Sequence, residues 1–199
     1  YNGYPTPYNV RQEIFLSFIV QEGEHIESGQ WALTLIPRNI RNGEYQMWLP
    51  VSSGNNQETR FLEPDKEFTL TIPSTAENVI SAGAYDVRYQ SYADFSGRGD
   101  QRYGVKKPDL VAPGVGILAA APGGGENSLS GTSMATPFVT GSAALLMEWG
   151  IIRKNDPYLY GERIKAYFHK GARKMNGFWD YPNNEIGYGK LCVAASLYK

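Results

Sequence analysis

The stretch Ser130-Gly131-Thr132-Ser133-Met134-Ala135-Thr136-Pro137 sets two hydroxyls directly after a glycine and directly before a long apolar run. That order predicts a tight turn at Gly131 and a helix entered at Thr132 or Ser133, either of which caps exposed N–H groups. The chemistry on offer is nucleophilic. A serine oxygen at a helix N-terminus lies among free backbone donors and at the positive end of the macrodipole, where developing negative charge is stabilised. Pro137 is read into the first turn, where a missing N–H leaves no helical bond unmade. A serine becomes a strong nucleophile only when a base removes its proton and a third group orients that base. The chain has two histidines, His25 and His169.

The elements that must hold Ser133 follow from periodicity. From Ser133 to about Trp149 the chain reads as a helix apolar on nearly every side, with Glu148 its one charged residue, and so as a helix buried in a core. Gly141, Ser142, Ala143 and Ala144 form a small-residue zone for close approach, and Gly150 is placed as its C-terminal cap. Upstream, Asn78-Val79-Ile80-Ser81-Ala82-Gly83-Ala84 is a short unbroken run suited to a strand buried on both faces. A Tyr/Ser/Gly-rich loop over 85–103 separates it from a second strand, Lys107-Pro108-Asp109-Leu110-Val111-Ala112-Pro113-Gly114-Val115. Gly123-Gly124-Gly125 lacks a following Lys-Ser or Lys-Thr, so it is read as a flexible loop and not a phosphate cradle. Downstream, Asp156-Pro157 opens a second helix in cap-then-proline order, with Ile164 and Phe168 on one face. His169 and Lys170 fall in its last turn before Gly171, where cations suit the dipole, so His169 is read as a helix-end residue. The remaining residues form a loop and a short terminal strand or helix.

Residues 1–72 have a different character. An extended lead-in over 1–8 precedes alternation at Ile14, Leu16, Phe18 and at Trp31, Leu33, Leu35, the pattern of half-buried strands. Asn42-Gly43 before the alternating Tyr45, Met47 and Leu49 predicts a hairpin. A turn-rich stretch at 52–57 leads to Phe61 and the run Phe68, Leu70, Ile72. Together these predict an antiparallel β unit with one buried face and no catalytic constellation. Its aromatics are read as core, with carbohydrate or protein binding the other use they allow. The change of character at Pro73 puts the boundary there: domains 1–72 and 73–199.

Composition narrows the function classes. Hydrophobic residues at 42% and charged residues at 20% are globular values. Nineteen basic against twenty acidic residues leave a net charge of −1, which removes the electrostatic footprint of a nucleic-acid binder. Lys106-Lys107 and Arg153-Lys154 are read as solvated surface. No run of about eighteen apolar residues occurs, so no membrane span is expected. The one cysteine, Cys192, excludes an intrachain disulfide and is read as a buried thiol. The chain starts at Tyr1 without a charged-then-apolar leader, as a processed chain or a cut piece would.

Gly131-Thr132-Ser133-Met134-Ala135-Thr136-Pro137 resembles the nucleophile motif of the subtilisin-like serine proteases, Gly-Thr-Ser-Met-Ala, then Ser or Thr, then Pro. The flanks agree in order: residues 78–84 are similar to that family's strand before the last part of the site. Phe95-Ser96-Gly97-Arg98-Gly99 is similar to its Phe-Ser-x-x-Gly turn, and Asp109-Leu110-Val111-Ala112-Pro113-Gly114 to its Ala-Pro-Gly strand. The likeness covers roughly residues 73–199. Residues 45–50 and 158–172 are also similar to the clostridial and germination-type members, which carry a β-rich insert.

The resemblance implies an α/β fold: the C-terminal part of a subtilisin-like three-layer architecture with a mostly parallel sheet, preceded by an antiparallel, jelly-roll-like insert. It implies serine endopeptidase activity through an acyl-enzyme at Ser133, supported by Gly131 and Thr132, with the Ser133 N–H as one oxyanion donor. The family order of Asp, then His, then an oxyanion Asn, then Ser has no counterpart for its first three members. His25, in Glu22-Gly23-Glu24-His25-Ile26, lacks the Gly-His-Gly-Thr-His context, and His169 follows the serine. The partners expected are therefore an N-terminal remainder of the protease, a peptide or protein substrate and, through exposed apolar edges, a second copy. A non-catalytic pseudoprotease or binding module on the same scaffold is the other reading. No cofactor is expected; calcium is allowed by the resemblance without assignable ligands, as is an extracellular or spore- or cell-associated location.

Overall fold

The computed structural model describes residues 2–3, 12–40, 42–50, 56, 58–100, 104 and 106–197. The lead-in expected over 1–8 lies outside them apart from Asn2 and Gly3, and the turn-rich stretch 52–57 apart from Asn56. The chain divides into two compact units, Tyr1–Asn55 and Asn56–Lys199.

In the first unit, β1 (Asn2–Gly3) pairs antiparallel with β2 (Glu13–Ile14), Asn2 opposite Ile14 and Gly3 opposite Glu13. The jelly-roll-like insert is not formed among the described residues: 15–40 and 42–50 contain no strand. Asn42-Gly43 closes no hairpin. Its asparagine makes a local turn, accepting the Glu44 N–H on Oδ1 at 3.1 Å. The physical reason is the missing second layer. Alternation records a capacity to bury one face, and the alternating side chains, among them Leu16, Phe18, Trp31, Leu33 and Met47, are solvent-exposed. Nothing then offsets the entropy of ordering extended backbone, and isolated strand pairs are marginal in water. Phe18 and Trp31 meet edge to face with centroids 5.4 Å apart.

The second unit is built on β5 (Leu110–Pro113), which pairs parallel with β3 (Ala82–Asp86), from Ala82 opposite Leu110 to Tyr85 opposite Pro113. β4 (Ser91–Tyr92) joins the other edge of β3 antiparallel, so the sheet is mixed, with a short antiparallel edge beside its parallel pair. The connection decides the direction: 87–90 is too short to cross over and return parallel, whereas the loop between β3 and β5 is long enough. Beyond β5, Val111 bonds in parallel fashion to the 189–191 backbone, through its N–H to Gly189 O at 3.0 Å and its carbonyl to the Leu191 N–H at 2.9 Å. A separate hairpin pairs β6 (Ile117–Ala120) with β7 (Glu126–Leu129), and its turn runs through Gly123, Gly124 and Gly125, all at positive φ.

β5 is buried on both faces, which suits its unbroken apolar run Leu110-Val111-Ala112. Leu110 and Ala112 face Ala135, Val139, Leu146, Ile164 and Phe168 of the helices. Val111 faces Met175 and Ile186 with Phe178 and Tyr181, so the opposite layer is the irregular 175–186 segment. Residues 68–70, expected in the insert, pack in this second unit instead: Phe68 N–H bonds Gly99 O at 3.1 Å and Thr69 N–H bonds Arg98 O at 2.9 Å. Leu70 is buried there, against the space that glycine leaves open at Gly97.

α1 (Thr132–Met147) lies across β3 and β5 and runs on through one π-helical turn, Glu148–Ile152. It is not buried all round. Ala135, Val139, Ser142 and Leu146 face the sheet, while Phe138, Leu145 and Met147 are exposed, because β3, β5 and the terminal helix all lie on one side. By length and composition, Thr132–Ile152 would also suffice to cross a membrane; here its buried stripe packs on a sheet. Gly150 is not an end cap. It is buried within the π turn, where a Cβ would stand 2.8 Å from Leu159 Cδ2, so close packing requires the glycine. α2 (Gly161–Gly171) begins later than Asp156-Pro157, and Asp156 instead receives Arg163 Nε at 2.7 Å and the Tyr167 hydroxyl at 3.0 Å from that helix. Ile164 and Phe168 are buried on its inner face as spaced. α3 (Val193–Leu197) packs on α2, with Ser196 filling the space beside Gly171.

Candidate active site

The site starts from backbone. Gly131 stands before α1 with φ 155° and ψ 162°, and no side chain caps the helix, in contrast to the capping expected of Thr132 or Ser133. The Gly131 carbonyl does the work, accepting the Met134 N–H at 3.0 Å and the Ala135 N–H at 3.4 Å. The N–H groups of Thr132 and Ser133 then have no backbone acceptor among the described residues, and both point from the positive end of the helix. Ser133 is exposed, and its hydroxyl has no hydrogen-bond partner among the described residues.

Pro137 lies in the second turn of α1, since the helix starts at Thr132. Lacking an N–H, it cannot bond the carbonyl of Ser133 four residues earlier. Nearby hydroxyls are absorbed by the helix itself: Thr136 Oγ1 donates to Thr132 O at 2.9 Å and Thr140 Oγ1 to Thr136 O at 3.2 Å. Ser133, Thr136, Pro137, Thr140 and Gly141 line an open groove of about 520 Å³ along the uncovered side of the helix. The serine thus has an unobstructed approach, free donors beside it and a largely apolar floor.

Neither histidine is hydrogen-bonded to Ser133. His25 belongs to the first unit. His169, in the last turn of α2 as expected, bonds Asp109 Oδ1 through Nε2 at 3.1 Å and stacks on Tyr188 at 3.8 Å. Asp109 precedes β5, whereas the residue touching Gly131 is Gly114, just past its other end. At about 3.3 Å per residue the two lie roughly 16 Å apart along the strand.

Asp109 is the polar anchor of the unit, and the sequence reading did not single it out for this. Buried, it takes the Ser81 N–H at 2.7 Å, Lys165 Nζ at 2.9 Å and Lys107 Nζ at 3.3 Å in addition to His169. Burial alone would raise its carboxyl, but the bonds from His169, Ser81 and Lys165 and the charge of Lys107 hold it down at about 2. Lys107 moves the opposite way in energetic terms: burial pulls its ammonium down, and the carboxylate only partly opposes this. The carboxylate, with four donors, is the better satisfied end of the pair. Lysines two and 56 residues away from an aspartate carry no periodic signal, so only the fold brings them together.

Cys192 is half-buried, not enclosed, at the entry to α3; bonds from the Ala195 backbone and then Arg173 lower its thiol. Among the described residues, no three His, Cys, Asp or Glu side chains stand together as a metal-holding group.

This α/β unit presents Ser133 exposed at the start of its central helix, and the sequence matches the subtilase family, peptidase S8, over residues 23–189. The chain belongs to the subtilase family. It is 33% identical over 167 residues to the serine protease AprX of Bacillus subtilis (strain 168), covering 74% of this chain and 34% of that protein. Subtilisin-like protease 1 of Trichophyton equinum is 42% identical over 106 residues, 52% of this chain and 18% of that protein. Among solved structures, the Clostridium perfringens CspB protease superposes with a TM-score of 0.68 at 50% identity, over 72% of this chain and 31% of that one. The prenylagaramide maturation protease PagA follows with a TM-score of 0.56 at 34% identity, over 67% and 46%. The chain therefore spans about a third of the length of the Bacillus relative.

Proposed function

We propose that this protein is a serine endopeptidase that cleaves peptide bonds through an acyl-enzyme on Ser133, and that this chain supplies the C-terminal part of its catalytic domain. The observation that carries the reading is the uncommitted, exposed Ser133 hydroxyl at the backbone-capped start of α1, within a subtilase sequence. Its Oγ forms the bond to the scissile carbonyl carbon while its proton passes to a base and then to the leaving amine; water completes the cycle by releasing the acyl group. The Ser133 N–H, with the helix dipole behind it, faces the oxyanion, and Gly131 and Thr132 hold it in place.

The imidazole, its orienting carboxylate and the second oxyanion donor belong to an N-terminal remainder of the protease. Two observations support this: no imidazole or carboxylate reaches Ser133 among the described residues, and the relatives are longer than the stretch they share with this chain. Removing triad members from such a site leaves about 10³- to 10⁴-fold over water, from oxyanion hole and binding alone. The same remainder covers the open side of α1. A fluorophosphonate probe tests the proposal. Labelling at Ser133 is expected when the upstream part is present and not in the chain by itself; absence of labelling in both favours a pseudoprotease, and strong labelling of the isolated chain refutes the division of the site.

A further inference from the structure

Two short segments beside Ser133 are laced together, and one of the laces is a side chain. Gly131 donates its N–H to Gly114 O at 2.8 Å, and Gly116 donates its N–H to Ser130 Oγ at 2.9 Å. Gly114 in turn donates to Tyr85 O at 3.1 Å, which ties the 114–116 turn to β3. The packing has no slack: a Cβ at Gly114 would stand 2.6 Å from Ala84 Cβ and 3.0 Å from Gly131 O. Gly116 holds φ 62°, the conformation that aims its N–H across the turn. Since the Gly131 carbonyl alone caps α1, any sideways movement of residues 130–131 carries the first helical turn, and Ser133, with it.

We propose that Ser130 is a positioning residue for the nucleophile: its hydroxyl takes the Gly116 N–H and so fixes Gly131 and Ser133 against the end of β5. This rests on the reading of Ser133 as the nucleophile. Ser130 touches no reacting atom; it acts through Gly131. Its hydroxyl serves as acceptor, so threonine can replace it and alanine cannot. A neutral, partly solvated hydrogen bond biases an equilibrium by about two- to tenfold, and acyl transfer is sensitive to small displacements of the attacking atom. Ser130→Ala is therefore expected to lower kcat about two- to tenfold with KM unchanged, because no contact to substrate is removed.

The test uses the full protein. It compares wild type, Ser130→Ala and Ser130→Thr in peptide hydrolysis, in fluorophosphonate labelling of Ser133 and in amide exchange at Gly116 and Gly131. Reduced kcat at constant KM in the alanine variant, faster exchange at both amides and recovery of each in the threonine variant is the expected result. Wild-type kcat and wild-type exchange at Gly131 in Ser130→Ala overturn the positioning role and leave the nucleophile assignment intact, since wild type still labels. Should wild type fail to label, the nucleophile assignment falls, and exchange alone judges the restraint: acceleration at Gly131 that threonine reverses upholds it, and no change overturns it.

Discussion

Asp109→Asn tests the electrostatic anchor at the end of β5 remote from Ser133. The substitution preserves shape and removes one charge. It leaves Lys107, with its side chain 9% exposed, and Lys165, at 18%, facing each other across a neutral amide, with the one amide oxygen and the Val79 and Glu77 carbonyls as acceptors among the described residues. Breaking a buried pair by removing one partner costs about 3–5 kcal/mol, and the retained amide bonds place the expectation at the lower end. The pH dependence supplies an internal check. The folded carboxyl is held at about 2, below its ordinary 3.8. A depressed carboxyl contributes stability that is complete above the unfolded value and is lost as pH falls through the folded one. At 1.36 kcal/mol per unit, that share is about 2 kcal/mol. Urea unfolding followed by circular dichroism from pH 7 to pH 2 should thus show a variant about 3 kcal/mol less stable at neutral pH, with the gap narrowing by about 2 kcal/mol between pH 4 and pH 2. A gap under about 1 kcal/mol at pH 7, or one that does not narrow in acid, would refute the reasoning.

Ser133→Ala should abolish probe labelling while shifting unfolding free energy by less than about 0.5 kcal/mol, because the hydroxyl has no partner to lose; a destabilised variant would show the serine to be structural. Phe168, 1% exposed between α2 and the sheet, should cost about 3–5 kcal/mol on truncation to alanine, read as a fall in the urea midpoint at constant slope. Tyr181 accepts the Met175 N–H at 2.8 Å and donates to Met175 O at 3.1 Å. Tyr181→Phe should therefore cost about 1–3 kcal/mol and speed amide exchange at Met175, and a neutral result would mean that water replaces the hydroxyl.

The start of α1 was more legible in the sequence than the layers around it. Local signals placed the start of α1 at Thr132 or Ser133, because Gly-Thr-Ser encodes a turn and a helix entry within three residues, and the helix starts at Thr132. The strand at β5 was visible as a short apolar run, Leu110-Val111-Ala112, that ends in a Pro-Gly turn. Where the outcome depended on partners distant in sequence, local reading failed. The alternation at Phe18 and Trp31 encodes a face without encoding what covers it, and no strand forms. The apolar surround of α1 encodes total burial, yet the covering elements among the described residues reach only one side. Asp156-Pro157 carries the letters of a helix start, but the carboxylate is drawn off by Arg163 and Tyr167, and the helix begins after it. Gly150 has the conformational freedom of a cap, but the fold needs it for want of a side chain.

The start of α1 has one more consequence. Most helices enlist a serine, threonine or aspartate to close their first turn, and a hydroxyl so enlisted is no longer available as an attacking group. Here a glycine carbonyl closes the turn, so the closure itself draws on neither the Thr132 nor the Ser133 hydroxyl. The side chains of residues 132 and 133 are thereby spared from capping, and substitution at either is expected to leave the start of the helix in place.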